Sequence, residues 1–148
     1  METPLISIER LKSYNFEDVA AIGRLMPYLS SSFSDQPIDE ALLRQIIESD
    51  YHEQLVARLH GKIVGAATLS LIIGAGAGKK GWLEDFVTDQ QTGVKGIGQA
   101  IWDEMGAWCQ ERGVSLNFTS SAGRTAAHNF YQKNGAEIRD TNIFIKQF

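Results

Sequence analysis

The stretch Leu83–Ala100, LEDFVTDQQTGVKGIGQA, constrains the chain most. Leu83–Thr88 places Phe86 and Val87 behind two acidic residues, Glu84 and Asp85, and reads as a strand. Asp89–Thr92 is a polar turn. Gly93-Val94-Lys95-Gly96-Ile97-Gly98 then leads into Ile97, Ala100, Ile101, Met105 and Trp108, spaced as one face of an α-helix. A glycine-punctuated passage from strand to helix has a physical use. The first N–H groups of a helix lack intrahelical acceptors, and together with the helix dipole they attract phosphate oxygens. Glycine lets the backbone approach a large anion without a Cβ clash. An ordinary strand–loop–helix connection would read the same way from these residues alone.

Two familiar phosphate-binding patterns are excluded. Gly74–Lys80 suggests a P-loop, but Ile73 stands where its first glycine belongs and Lys80 where Ser or Thr belongs. This segment reads instead as a mobile hairpin loop. A dinucleotide fold needs G-x-G-x-x-G after a strand, yet Gly96-Ile97-Gly98 is followed by Gln99-Ala100-Ile101, without the third glycine.

The 148 residues predict one domain spanning 1–148, long enough to bury a core without a metal or disulfide staple. The net charge of −4, with no basic run, argues against nucleic acid as a partner. A lone cysteine, Cys109, cannot form an internal disulfide, so a reducing, cytoplasmic setting is expected. No secretory leader is read in the first residues, and the longest apolar run, Ile63–Gly78, is too short and glycine-rich to span a bilayer.

Along the chain, Leu5–Leu11 alternates as a strand, and Asn15 to about Met26 has helical spacing, ending near Pro27. Pro37 suits the first turn of a second helix running to Glu48. Gln54–Leu59 and Ile63–Ile72 read as a hairpin, followed by the strand Trp82–Thr88. A third helix covers Gly96–Arg112, with Gly113 as its stop. Val114–Thr119 is a strand, Arg124–Asn134 a helix ended by Gly135, and Ala136–Arg139 and Asn142–Gln147 two closing strands. The expectation is an α+β, or mixed α/β, domain: a mostly antiparallel mixed sheet of about seven strands flanked by about four helices.

This order resembles the GNAT superfamily of N-acetyltransferases. Three stretches carry the resemblance. Gly93–Gly98 is similar to that family's acetyl-CoA pyrophosphate loop, Leu83–Thr88 to the strand before it, and Ala127–Gly135 to its C-terminal motif with Phe130-Tyr131. Glu84-Asp85 begins twelve residues before Gly96, a spacing similar to that in glucosamine-phosphate acetyltransferases. The chain departs from the pattern at Gly93, usually Gln or Arg, at Arg124, often Asn, and at Ala136, frequently Phe.

The resemblance implies a GNAT-like acyl-CoA N-acyltransferase fold and direct transfer from acetyl-CoA to a primary amine of a small molecule or peptide. A non-catalytic acyl-CoA-binding sensor or interaction module is the alternative. Such transfer needs a base to free the amine's lone pair, a donor for the oxyanion and an acid for the leaving thiolate. By the resemblance Tyr131 is the acid. Glu84 and Asp85 are the candidate bases; adjacent strand residues point to opposite faces, so at most one meets a given cleft unless a β-bulge resets the parity. The resemblance favours Glu84, and either carboxylate would attract a cationic amine. It also assigns pantetheine contacts to the backbone of Phe86, Val87 and Thr88, the pyrophosphate to Gly93, Val94, Lys95, Gly96, Ile97 and Gly98, and a further cofactor contact to Asn129. Phe33, in the Leu29–Pro37 loop, is the expected acceptor anchor. No metal is expected, since His52, His60 and His128 lack ligand spacing. No membrane partner is expected, and a homodimer through the last strands is implied.

Overall fold

A computed structural model describes residues 5–148. They fall into two compact units, one ending at Phe118 and one comprising Thr119–Phe148.

In the first unit the order is β1 (Ile6–Arg10), α1 (Phe16–Leu29), α2 (Glu40–Glu48), β2 (His52–Leu59), β3 (Lys62–Gly74), β4 (Gly78–Thr88), α3 (Ile97–Arg112) and β5 (Leu116–Asn117). The sheet runs β1-β2-β3-β4-β5; the first three ladders are antiparallel and β4–β5 is parallel. Two apolar clusters occupy its two faces. Val19, Ile22, Leu25 and Leu43 pack from α1 and α2 onto Val56, Ala66 and Val87. Ile97, Ile101, Met105 and Trp108 pack from α3 onto Leu55, Ala67, Leu69 and Leu83. The alternation Val56/Leu55 and Ala66/Ala67 follows from the period of two in a strand.

Local chemistry sets the helix ends. Asn15 caps α1 in a reciprocal capping box with Asp18. Pro27 does not end α1, which runs on to Leu29; a proline in the last turn forfeits one donor without stopping the helix. Pro37 lies before α2 rather than in its first turn. Asp39 is the cap, accepting hydrogen bonds from the N–H groups of Ala41 and Leu42. The residues before it are held against α1 instead: Ile38 N–H donates to Val19 O at 3.3 Å. A Cβ on Gly23 would come 1.9 Å from Gln36 O, so only glycine admits this approach. Across the sheet, the Arg10 guanidinium ties β1 to α3 through Glu104 and, bidentately, Glu111, all at 2.8 Å.

The expected hairpin loop at Gly74–Lys80 is smaller than read. Ile72 pairs with Lys80 and Gly74 with Gly78, so the ladder continues to a turn at Ala75–Ala77.

The second unit contains α4 (Thr125–Lys133), ended by Gly135 at φ 87°. The sheet has five strands among the described residues, not about seven. Neither Ala136–Arg139 nor Asn142–Gln147 forms a strand. Ile143 and Ile145 alternate, but Phe144 between them is equally apolar, so the run presents no single buried face; all three side chains are exposed. No helix among the described residues is long and apolar enough to cross a membrane.

Candidate active site

The β3–β4 ladder breaks where the two acidic residues lie. Ala66 pairs with Val87 and Thr68 with Glu84, leaving Asp85 and Phe86 opposite Ala67 alone. This is a β-bulge, and Asp85 sits in it at φ 52°, a left-handed conformation that Asp tolerates better than most residues. The bulge overrides the parity of a regular strand. Directly paired residues share a face, so Glu84 lies on the face of Thr68. Asp85, turned by the bulge, joins Thr68 in lining a cavity on that same face.

The cavity has a volume of about 440 Å³. Its apolar wall comes from Ile22 and Met26 of α1, Phe33 and Pro37 of the connecting loop, and Leu42 and Ile46 of α2. Its floor is polar: Gln54 from β2, Thr68 from β3 and Asp85 from β4. Gln54, only 4% exposed, donates from its amide to Leu55 O and Ala67 O and accepts from Thr68 Oγ1 at 2.8 Å. Asp39 also reaches the cavity, but its carboxylate serves the α2 cap. The Asp85 carboxylate makes no hydrogen bond or ion pair with any described residue. The surrounding protein, then the nearby Glu84 charge, push its pKa above the ordinary carboxylate value, although its side chain remains open to solvent through the mouth of the cavity. Glu84 is committed elsewhere. Its Oε1 accepts a hydrogen bond from Trp82 Nε1 at 2.7 Å, and it is not among the residues lining the cavity.

On the other side of β4, β5 pairs only with Gly81 and Trp82. From Leu83 to Thr88, no described strand continues along that edge. Gly81 N–H donates to Ser115 O at 2.8 Å, and a Cβ on Gly81 would meet that oxygen at 2.9 Å, so β5 comes close there and then ends. Phe86 is half-buried against the α3 cluster, Val87 is buried in the α1–α2 cluster, and Gln90 Nε2 donates to both Thr88 oxygens.

The loop beyond carries glycines at positive φ, Gly93 at 68° and Gly96 at 94°, and Gly96 is the N-cap of α3. No side chain caps this helix, so its first N–H groups, beginning at Ile97 and Gly98, are offered to whatever lies in front of them. Val94 packs half-buried on the α3 cluster and Ile97 is fully in it, which fixes the helix start; Lys95 is exposed. Added Cβ atoms at Gly93 and Gly96 would meet nothing within 4 Å, so their need for glycine is conformational.

In the second unit, Tyr131 is half-buried on α4 and stands edge-on to Phe130, with ring centroids 5.8 Å apart. Burial pushes its phenol pKa up, with Arg124 pulling the other way. Asn129 is exposed. Among the described residues, no group of three or more His, Cys, Asp or Glu could hold a metal. Cys109 is buried, and burial pushes its thiol pKa up, as suits a core residue rather than a nucleophile.

Reading the sequence missed Gln54 and Thr68. They come together only through the β2–β3 register, in which Gln54 is directly opposite Thr68. A glutamine directly before the apolar run Leu55-Val56-Ala57 of β2 was the available signal.

A bulged strand beside a short parallel partner, followed by a glycine-capped helix, agrees with the fold that the sequence resemblance implies. The family model "Acetyltransferase (GNAT) family" matches residues 20–136, and the chain belongs to that family. Among solved structures, it is similar to a candidate acetyltransferase from Agrobacterium tumefaciens str. C58, with a TM-score of 0.80 and 20% identity over 95% of this chain and 99% of that one. An aminoglycoside acetyltransferase, meta-AAC0020, from an uncultured soil metagenomic sample gives 0.79 and 21% over 97% of both chains. A transcriptional regulator from Bacillus halodurans C-125 gives 0.77 and 18% over 97% and 99%. At these identities the likeness is one of fold. No curated protein matches the sequence.

Proposed function

We propose that this chain transfers the acetyl group of acetyl-CoA directly to a primary amine held in the α1–α2 cavity. The observation that carries this reading is Asp85: a carboxylate without a partner, turned by a bulge into a cavity, on the strand whose other edge loses its neighbour after Trp82.

Acetyl-CoA, the family's cosubstrate, supplies an acetyl group activated as a thioester. The stretch Phe86–Thr88, beyond the β5 pairing at Gly81 and Trp82, would hold the pantetheine amides by its backbone, and the Gly93–Gly98 loop with the α3 N-terminus would hold the pyrophosphate. Asn129 would add a contact from α4.

Asp85 takes a proton from the ammonium, leaving nitrogen a lone pair with which to attack. Its raised pKa brings it nearer the amine and makes it a better base than an ordinary carboxylate. As the C–N bond forms and the C–S bond breaks, the leaving sulfur takes a proton; the Tyr131 phenol, which the family resemblance nominates as the acid, would give it, and the proton then lost from nitrogen would restore the phenol. A raised phenol pKa keeps Tyr131 protonated and ready to donate. Glu84, held by Trp82, is an auxiliary negative charge that draws cations toward the cavity mouth. Phe33 is an apolar contact for the acceptor.

Thiol release from acetyl-CoA in the presence of a panel of amines, run beside calorimetric acetyl-CoA binding, tests this reading. Amine-dependent thiol release is the expected result. Tight cofactor binding with no release on any amine would replace it with an acyl-CoA-binding module.

A further inference from the structure

The cavity is selective in a way its family membership does not determine. Its wall is mostly hydrocarbon, from α1 (Ile22, Met26), the loop (Phe33, Pro37) and α2 (Leu42, Ile46), with the neutral Ser32, Ser34 and Gln36 between them. Of its polar side chains, Gln54 and Thr68 satisfy each other and the sheet backbone, Asp39 accepts the α2 cap through Oδ1, and Ser32, Ser34 and Gln36 of the loop carry no charge. Asp85 is the lining carboxylate that accepts no hydrogen bond. No Lys, Arg or His lines the space.

Each of these features excludes a class of acceptor. A second ammonium would be desolvated with only neutral groups and Asp39, already accepting two N–H groups of the α2 cap, to meet it, which disfavours polyamines and aminoglycosides. A carboxylate or phosphate on the acceptor would find no cation and would face Asp85 instead, which disfavours free amino acids and sugar phosphates. What fits is one positive charge at Asp85 and an apolar body along α1 and α2. Resting on the reading that this cavity holds the acceptor, we infer that the acceptor is a primary monoamine carried on a compact alkyl or aromatic group. This sets the chain apart from the aminoglycoside acetyltransferases whose fold it shares.

The test uses the 148-residue chain with four probes: 2-phenylethylamine, phenylalanine, spermidine and the aminoglycoside sisomicin. Binding is measured by calorimetry and transfer by thiol release. The expected result is saturable binding of 2-phenylethylamine, at least about tenfold tighter than that of the other three. Asp85→Asn should weaken this binding about tenfold or more. Leu42→Gln, at a position 57% exposed and therefore harmless to folding, should weaken it several-fold while leaving the smaller methylamine unaffected.

The outcomes separate the two levels of the argument. Binding of 2-phenylethylamine with no thiol release from any of the amines supports the monoamine preference and sinks the transferase reading. Faster release with spermidine or sisomicin than with 2-phenylethylamine keeps the transferase and overturns the preference. Absence of 2-phenylethylamine binding, or binding unchanged in Asp85→Asn, also overturns it.

Discussion

The two faces of the sheet are built to different standards. Under α3, Ile101, Met105 and Trp108 are buried to 1% exposure or less, and even Gly65 leaves no spare room, since a Cβ there would meet Ile101 Cδ1 at 2.7 Å. Under α1 and α2 the same strands leave a cavity of about 440 Å³ floored by Gln54, Thr68 and Asp85. Both faces draw on alternate residues of β2, β3 and β4, so the closed face supplies the rigidity that holds the open one in shape. A bulged carboxylate at positive φ is affordable only where a packed core fixes its neighbours.

Substitutions on the closed face should act on stability, and substitutions on the open face on turnover. Ile101→Ala should show the largest stability loss, about 2–5 kcal/mol by denaturant unfolding, because the site is fully enclosed. If its acetyl-CoA affinity fell while stability held, the division between the faces would be wrong. Gly23→Ala should come next, at about 1–3 kcal/mol, since its new methyl must displace Gln36 backbone. Unlike Ile101→Ala, it should also raise the amine KM, because Gln36 and Pro37 line the cavity.

The smallest effect concerns pH. The folded pKa of Asp85 is raised, so its favourable contribution to stability is complete below its unfolded pKa and lost as pH rises through the folded value. The charged groups near it are Glu84 on its own strand and Asp39 from α2, both acidic. Asp85→Asn should therefore be slightly more stable than the parent at neutral pH, with the gap closing in acid. Thermal unfolding at several pH values checks this. A variant less stable at neutral pH would mean that Asp85 has an ion-pair partner.

How much of this was legible in the sequence follows the range of the interactions. The α3 face, its glycine start and its Gly113 stop are local patterns, and the chain displays them openly. Family resemblance brought Phe86–Thr88, the Gly93–Gly98 loop and Tyr131 forward as candidates. The bulge was foreseen only as a possibility, because its determinant is a pairing between Ala67 and two residues of β4, and an Asp in the left-handed region looks like any other Asp. The cavity floor was invisible for the same reason, since Gln54 and Thr68 meet through strand register. The closing strands were over-read: alternation of Ile143 and Ile145 is a necessary sign of a strand, but a strand also needs an edge to pair with.

The claim that the bulge selects Asp85 over its neighbour is tested most directly by measuring kcat/KM for amine acetylation in Asp85→Asn and Glu84→Gln side by side. Acetyl-CoA affinity, followed by calorimetry, serves as the control. The account predicts a loss of about 10²–10⁴-fold for Asp85→Asn and less than about tenfold for Glu84→Gln, with cofactor affinity unchanged in both. The reverse order, a large loss in Glu84→Gln and near-parental turnover in Asp85→Asn, would contradict it.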